Sequence, residues 1–121
     1  MIKVLVTRGT HGHVEGFSVH GHAGFARAGK DIVCAAVSAV TEGTLLGLLE
    51  VVRAKLSYRV DEKKGELVCR LASTAEGESP EKAWVLLDTM LLVLREIEKQ
   101  YPRHVVVEES VPRPPGESKA D

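Results

Sequence analysis

The chain has 121 residues, of which 44% are hydrophobic, enough for one domain with its own core. Its 16 basic and 17 acidic residues leave a formal net charge of -1, and only 4% are aromatic. That balance argues against a global pull toward nucleic acid or an anionic membrane, and against a base-stacking platform.

No early run has the charged start, apolar middle and small-residue cleavage site of a signal peptide. The longest apolar tracts are interrupted well short of a membrane span. Cys34 and Cys69, in a chain read as unexported, are expected to be free thiols in the cytosol.

Ile2 to Arg8 is rich in β-branched residues and reads as a strand. Gly9 to His13 is a turn. Val14 to His22 reads as the hairpin partner, with Phe17 and Val19 on one face and Ser18, His20 and His22 on the other. A loop carrying Gly24 and Gly29 follows. Asp31 suits a helix N-cap, and the helix runs from Ile32 or Val33 to about Arg53. Val33, Val37, Val40, Thr44 and Leu48 recur at helical spacing as its sheet-facing stripe.

Leu56 to Val60 and Glu66 to Leu71 read as strands joined by the polar turn Asp61 to Gly65. Ser79 suits a cap with Pro80 at the first helical position. That helix runs to about Gln100, burying Trp84, Leu87, Leu91, Leu94 and Ile97. His104 to Glu108 is a candidate last strand. From Ser110 to Asp121 the composition turns to Pro, Gly, Lys and Glu, a disordered tail beyond a single domain spanning 1-109. The order β-β-α-β-β-α, with an extra C-terminal strand as an option, predicts an α+β two-layer sandwich. A mainly antiparallel sheet carries two helices on one face.

The chemistry concentrates between Gly21 and Ser38. A thiol becomes a good nucleophile when it loses its proton, and a helix N-terminus or a nearby imidazole favours the thiolate. Cys34 falls in the first turn of its helix, and His22 ends the neighbouring strand. If the loop folds back, His22 can take the thiol proton and return one to a leaving amine. Asp31 either orients His22 or caps the helix. Ser38 lies one turn below Cys34 and can support the site with a hydrogen bond. Arg27 and Lys30 make the loop basic, and Phe25 is either a substrate contact or part of the core. A cysteine in an Ala-rich helix start is, taken alone, more often a small hydrophobe than a nucleophile. Cys69, mid-strand without polar company, is assigned to packing.

His11, His13, His20 and His22 raise the question of a metal. No second ligand cluster accompanies them, so no metal and no cofactor is expected. His11 and His13 read as exposed turn residues.

The run from Gly21 to Ser38, with its Gly-His-Ala start and its Gly-x-Asp-Ile-Val-Cys-Ala-Ala-Val-Ser finish, resembles the ribosomal-processing cysteine protease family, Prp. The likeness extends in pattern from Met1 to about Glu109. It implies a catalytic pair at His22 and Cys34, with the motif aspartate and serine at Asp31 and Ser38. It also implies a cytoplasmic homodimer that trims a short N-terminal extension from large-subunit ribosomal protein twenty-seven. The substrate loop would comprise Gly21, Ala23, Gly24, Phe25, Gly29 and Lys30, ordering around the peptide. The His11-Gly12-His13 turn and the Pro-rich tail have no counterpart in the family pattern.

The main expectation is therefore a cysteine endopeptidase that acts on a ribosomal protein precursor, with no membrane or direct nucleic-acid partner. The alternative is a non-catalytic ribosome-associated binding module with the same fold. A thiol redox role lacks a Cys-x-x-Cys pair or a resolving cysteine.

Overall fold

The computed structural model describes residues 1-21, 32-72 and 80-111. Five strands and two helices follow in the order β1 (Ile2–Arg8), β2 (Val14–His20), α1 (Ile32–Leu46), β3 (Leu56–Asp61), β4 (Glu66–Leu71), α2 (Glu81–Gln100) and β5 (Val105–Ser110). A π-helical stretch, Gly47–Val52, continues α1. The sheet order is β3-β4-β2-β1-β5. Neighbours are antiparallel except β5, which runs parallel to β1. The candidate last strand is thus real, and it makes the sheet mixed.

Alternation decides which face of the sheet is covered. Ile2, Val4 and Val6 are buried, while Lys3 and Leu5 between them are exposed. Phe17 and Val19 join the buried face opposite Val6 and Val4. The helices lie on that face as the second layer, and Leu87, Met90, Leu91 and Leu94 of α2 close the core against it. Trp84 and Ile97, expected to be buried, are only half-buried, whereas Ala83 and Met90 are buried.

The stripe on α1 is also displaced from expectation. Val33, Val37, Thr41, Leu45 and Leu48 are buried, while Val40 and Thr44 are half-buried. Thr41 is tolerated in the core because its hydroxyl donates to the Val37 carbonyl at 2.8 Å. The helix ends at Arg53, whose left-handed backbone (φ 57°) lets its amide donate to the Leu48 carbonyl. Pro80 occupies the cap of α2 rather than its first helical position. Ser79, the expected cap, lies outside the described residues.

Ile32–Val52 is 21 residues long with a mean hydropathy of 1.9, so by length and composition alone it can cross a membrane. This corrects the expectation that every apolar tract stops short. Here its buried stripe completes the core.

The two sheet edges are treated differently. On β5, the Val107 carbonyl accepts from Arg95 Nη1 at 2.7 Å and the Val107 amide donates to Glu98 Oε2 at 2.8 Å. Side chains of α2 thus cover that edge. Glu109 adds bonds to Arg95 Nη2 at 2.6 Å and Arg8 Nε at 2.7 Å. These guanidinium bonds hold the Glu109 carboxyl below its ordinary range. At the other edge, Tyr58 and Val60 of β3 remain exposed.

Candidate active site

The first turns of α1 place Cys34 and Ser38 on one side of the helix, one turn apart. Both are half-buried. They line a groove of about 250 Å³ between α1 and the β3–β4 hairpin. The helical wall continues through Thr41 to Glu42, and the hairpin supplies Val60, Asp61, Glu62, Gly65 and Glu66. Ile2, Val19 and Leu67 form an apolar floor. The Cys34 thiol therefore opens onto a channel bounded by two different elements. It is not sealed in the core.

Cys69 provides the internal contrast. It is 2% exposed on β4, and burial pushes its thiol up to about 11 from an ordinary 9.0. It stays protonated at neutral pH, as its packing role requires.

Gly21 closes one end of the groove. Its φ is +88°, and a Cβ there would lie 2.7 Å from the Met1 carbonyl oxygen. Its amide donates to the Gly65 carbonyl at 3.2 Å, tying the end of β2 to the hairpin. No side chain fits without moving the backbone.

The groove carboxylates divide into two kinds. Glu66 is occupied, with Oε1 on Arg59 Nη2 at 2.8 Å and Oε2 facing His20 Nδ1 at 3.2 Å. Asp61 Oδ1 accepts from the Lys64 amide at 3.1 Å. Glu42 and Glu62 are exposed and make no side-chain hydrogen bond or ion pair among the described residues.

The structure thus brings Cys34, Ser38 and Gly21 to one groove. His22, Ala23, Gly24, Phe25, Gly29, Lys30 and Asp31 lie outside the described residues. Glu42 and the hairpin wall were missed in the sequence. Glu42 was detectable, because it lies two turns along the same side of α1 as Cys34. The hairpin wall depends on a long-range pairing that spacing along the chain does not reveal.

The opposite end of the sheet holds the unmatched histidines. His13 is half-buried, not simply an exposed turn residue. Its ring stacks on Trp84 with centroids 4.3 Å apart, and Nδ1 meets Asp88 Oδ2 at 2.8 Å. Asp88 Oδ1 accepts from the Val14 amide at 3.0 Å. His11 packs on the same indole at 4.4 Å. These rings fasten the β1–β2 turn to α2. Among the described residues, no three His, Cys, Asp or Glu side chains form a metal cage.

A half-buried thiol in the first turn of a helix, opening onto a groove beside a strand edge, is a placement that suits thiol nucleophilic chemistry. The sequence matches the family described as Cysteine protease Prp over residues 1–106, and the chain belongs to that family. The ribosomal processing cysteine protease Prp of Bacillus subtilis is 29% identical over 101 residues, covering 84% of this chain and 90% of the relative. Its Staphylococcus aureus counterpart is 31% identical over 105 residues, covering 87% and 95%.

The fold is shared with solved structures. The S. aureus ribosomal processing protease Prp with a covalently linked product peptide superposes with a TM-score of 0.78 at 30% identity, covering 91% of this chain and all of that one. A Streptococcus mutans protein also gives 0.78, at 28% identity, covering 93% and 96%. These likenesses bear out the α+β two-layer fold and the family resemblance read from the Gly21 to Ser38 run.

Proposed function

We propose that this protein is an endopeptidase that trims the N-terminal extension of large-subunit ribosomal protein twenty-seven, with Cys34 as nucleophile and His22 as general base and acid. The observation that carries the reading is the Cys34 thiol, half-buried at the start of α1 and facing a peptide-sized groove. Relatives at the family level are named ribosomal processing proteases, and one is solved with a substrate peptide.

In this mechanism His22 takes the Cys34 proton as the sulfur attacks the scissile carbonyl carbon. The amides opening α1 stabilise the oxyanion that forms. Collapse of the tetrahedral intermediate breaks the C–N bond, and the imidazolium gives its proton to the departing amine. The N-terminal fragment remains as a thioester on Cys34. Water, deprotonated by His22, releases it as a carboxylate and restores the thiol. Asp31 orients His22 or caps α1, and Ser38 supports the thiol from one turn below. Gly21, Ala23, Gly24, Phe25, Gly29 and Lys30 serve as substrate contacts in this reading. We also assign the protein to the cytoplasm as a homodimer.

The test is a peptide spanning the extension junction, mixed with the parent, Cys34→Ala and His22→Ala. Cleavage by the parent and by neither variant is expected. Undiminished cleavage by Cys34→Ala ends the mechanism, and binding without cleavage by the parent favours a ribosome-associated binding module. Light scattering at micromolar concentration tests the dimer, where a monomer mass rejects it.

A further inference from the structure

We infer that the outer edge of β3 pairs with β3 of a second copy, antiparallel about a two-fold axis at Tyr58, so that the two five-stranded sheets join into one. The inference rests on the homodimer assigned above and names the surface and register that make it.

The two sheet edges open the argument. On β5, main-chain groups of Val107 are taken by Arg95 and Glu98 of α2. The outer edge of β3 has no strand beside it among the described residues. β3 runs six residues in unbroken register with β4, without a proline or a bulge. Natural edges are usually blunted by such devices, because a bare edge is a template for another strand. Its charges are drawn elsewhere: Arg59 to Glu66 at 2.8 Å, and Asp61 Oδ1 to the Lys64 amide at 3.1 Å.

Alternation shows which peptide groups point outward. The Lys55 carbonyl accepts from the Ala72 amide at 2.9 Å, so Lys55 and every second residue after it turn toward β4. Leu56, Tyr58 and Val60 turn their peptide groups the other way. Their side chains lie on the face that carries the helices, opposite Leu71, Cys69 and Leu67 of β4. Tyr58 is nevertheless 51% and Val60 48% exposed. The outward peptide groups and the exposed apolar side chains thus belong to the same residues.

The strand is complementary to itself in one register. About an axis at Tyr58, Leu56 falls opposite Val60 of the second copy, Tyr58 opposite its own equivalent, and Lys55 opposite Asp61. Outward residues then meet only outward residues, giving about six main-chain hydrogen bonds. Apolar, aromatic and opposite-charge pairs across strands are the contacts that stabilise a sheet. An axis at Ser57 instead sets Lys55 against Arg59. An axis at Arg59 sets Lys55 against Lys63 and Arg59 against itself. Like charges directly opposite disfavour both. Because the match is of the strand with itself, it singles out a second copy over a foreign strand. Val60 and Asp61 also line the Cys34 groove, so the pairing braces the hairpin that forms its wall.

The experiment is sedimentation equilibrium of the full chain from micromolar to submillimolar concentration, with a thermal melt on each variant. The parent should dimerise. Tyr58→Lys sets two cations against each other at the axis and should raise Kd at least about tenfold. Tyr58 is exposed, so its melt should match the parent. Lys55→Asp and Asp61→Lys each oppose like charges and should each raise Kd about fivefold at low salt. Both exchanges on one chain restore opposite charges and should recover the parent Kd, which a purely structural role for either residue does not explain.

A parent dimer that persists unchanged in Tyr58→Lys overturns the inference and leaves the homodimer standing on another surface. Failure of the double exchange to recover association overturns the register. A parent that stays monomeric throughout overturns the inference and the homodimer together.

Discussion

Cys34 and Cys69 share a side chain and little else. Cys34 sits half-buried where α1 begins, at the edge of a groove built from two elements. Cys69 sits in the centre of the sheet, paired opposite Phe17 and Tyr58 in neighbouring strands. The same sulfur lines an open groove in one place and fills packing volume in the other. What separates them is the cost of placing a charge. The groove beside Cys34 is open to solvent, whereas the interior of the sheet around Cys69 offers only hydrocarbon to a charge. Residue type alone does not identify a nucleophile; its surroundings do.

The contrast is broken most severely by exchanging the two roles. Cys34→Ala should lower peptide cleavage by at least about a thousandfold with the fold intact, whereas Cys69→Ala should keep cleavage within a few fold. Steady-state kinetics and a melt on each variant check this. If Cys69→Ala is the inactive one, the roles assigned here are reversed.

Alkaline pH sharpens the difference next. The unfolded Cys69 thiol ionises near 9.0, whereas the folded one does so at about 11. Above 9.0 the unfolded chain therefore loses its proton first, and stability falls as pH rises toward 11. The loss should reach about 2 kcal/mol and be absent from Cys69→Ala, as read by urea midpoints at pH 8 and pH 10.5. Identical alkaline slopes for parent and variant would show that the buried thiol is not isolated from solvent.

The ends of the sheet offer a milder comparison. Asp88→Ala removes the His13 contact and leaves the Val14 amide without its acceptor. We expect a loss of about 1–2 kcal/mol in stability with kcat/KM for the junction peptide unchanged. A large loss of cleavage would mean that the stacked-ring end communicates with the groove.

The smallest effect concerns Glu109. Its carboxyl is held below the unfolded value of 4.5 by Arg95 and Arg8. The stability this gives is present above pH 4.5 and is lost as pH falls through the lower folded value. Glu109 is about 29% exposed, so the contribution is screened to a fraction of a kcal/mol. Glu109→Gln should be slightly less stable than the parent at pH 7, and the gap by urea midpoint should shrink as pH falls below 4.5. A gap that widens on acidification contradicts the pairing.

Much of this architecture is legible in the sequence because it is local. β1, β4 and the run of α1 follow from alternation, β-branched residues and helical spacing. The special motif from Gly21 to Ser38 carries the family resemblance. What spacing hides is set by distant partners. Gly47–Val52 widens into a π-helix as α1 closes on the core, and the buried stripe shifts from Val40 and Thr44 to Thr41 and Leu45. The parallel pairing of β5 with β1 depends on a return of the chain after α2. His13 reads as a turn residue until Trp84 and Asp88 arrive from α2. The hairpin wall of the groove, with Glu62 and Glu66, meets α1 only after the sheet has formed. His22, proposed as the imidazole partner of Cys34, lies with residues 23–31 outside the described ones, so that proposal rests on the motif.

Intact-mass spectrometry of enzyme quenched in acid during turnover of the junction peptide tests the central chemistry most directly. The account expects a transient adduct equal to the N-terminal fragment in acyl linkage, mapped by digestion to Cys34 and missing from Cys34→Ala. An adduct on another residue, or full turnover with no covalent species in a protein lacking that sulfur, would contradict it.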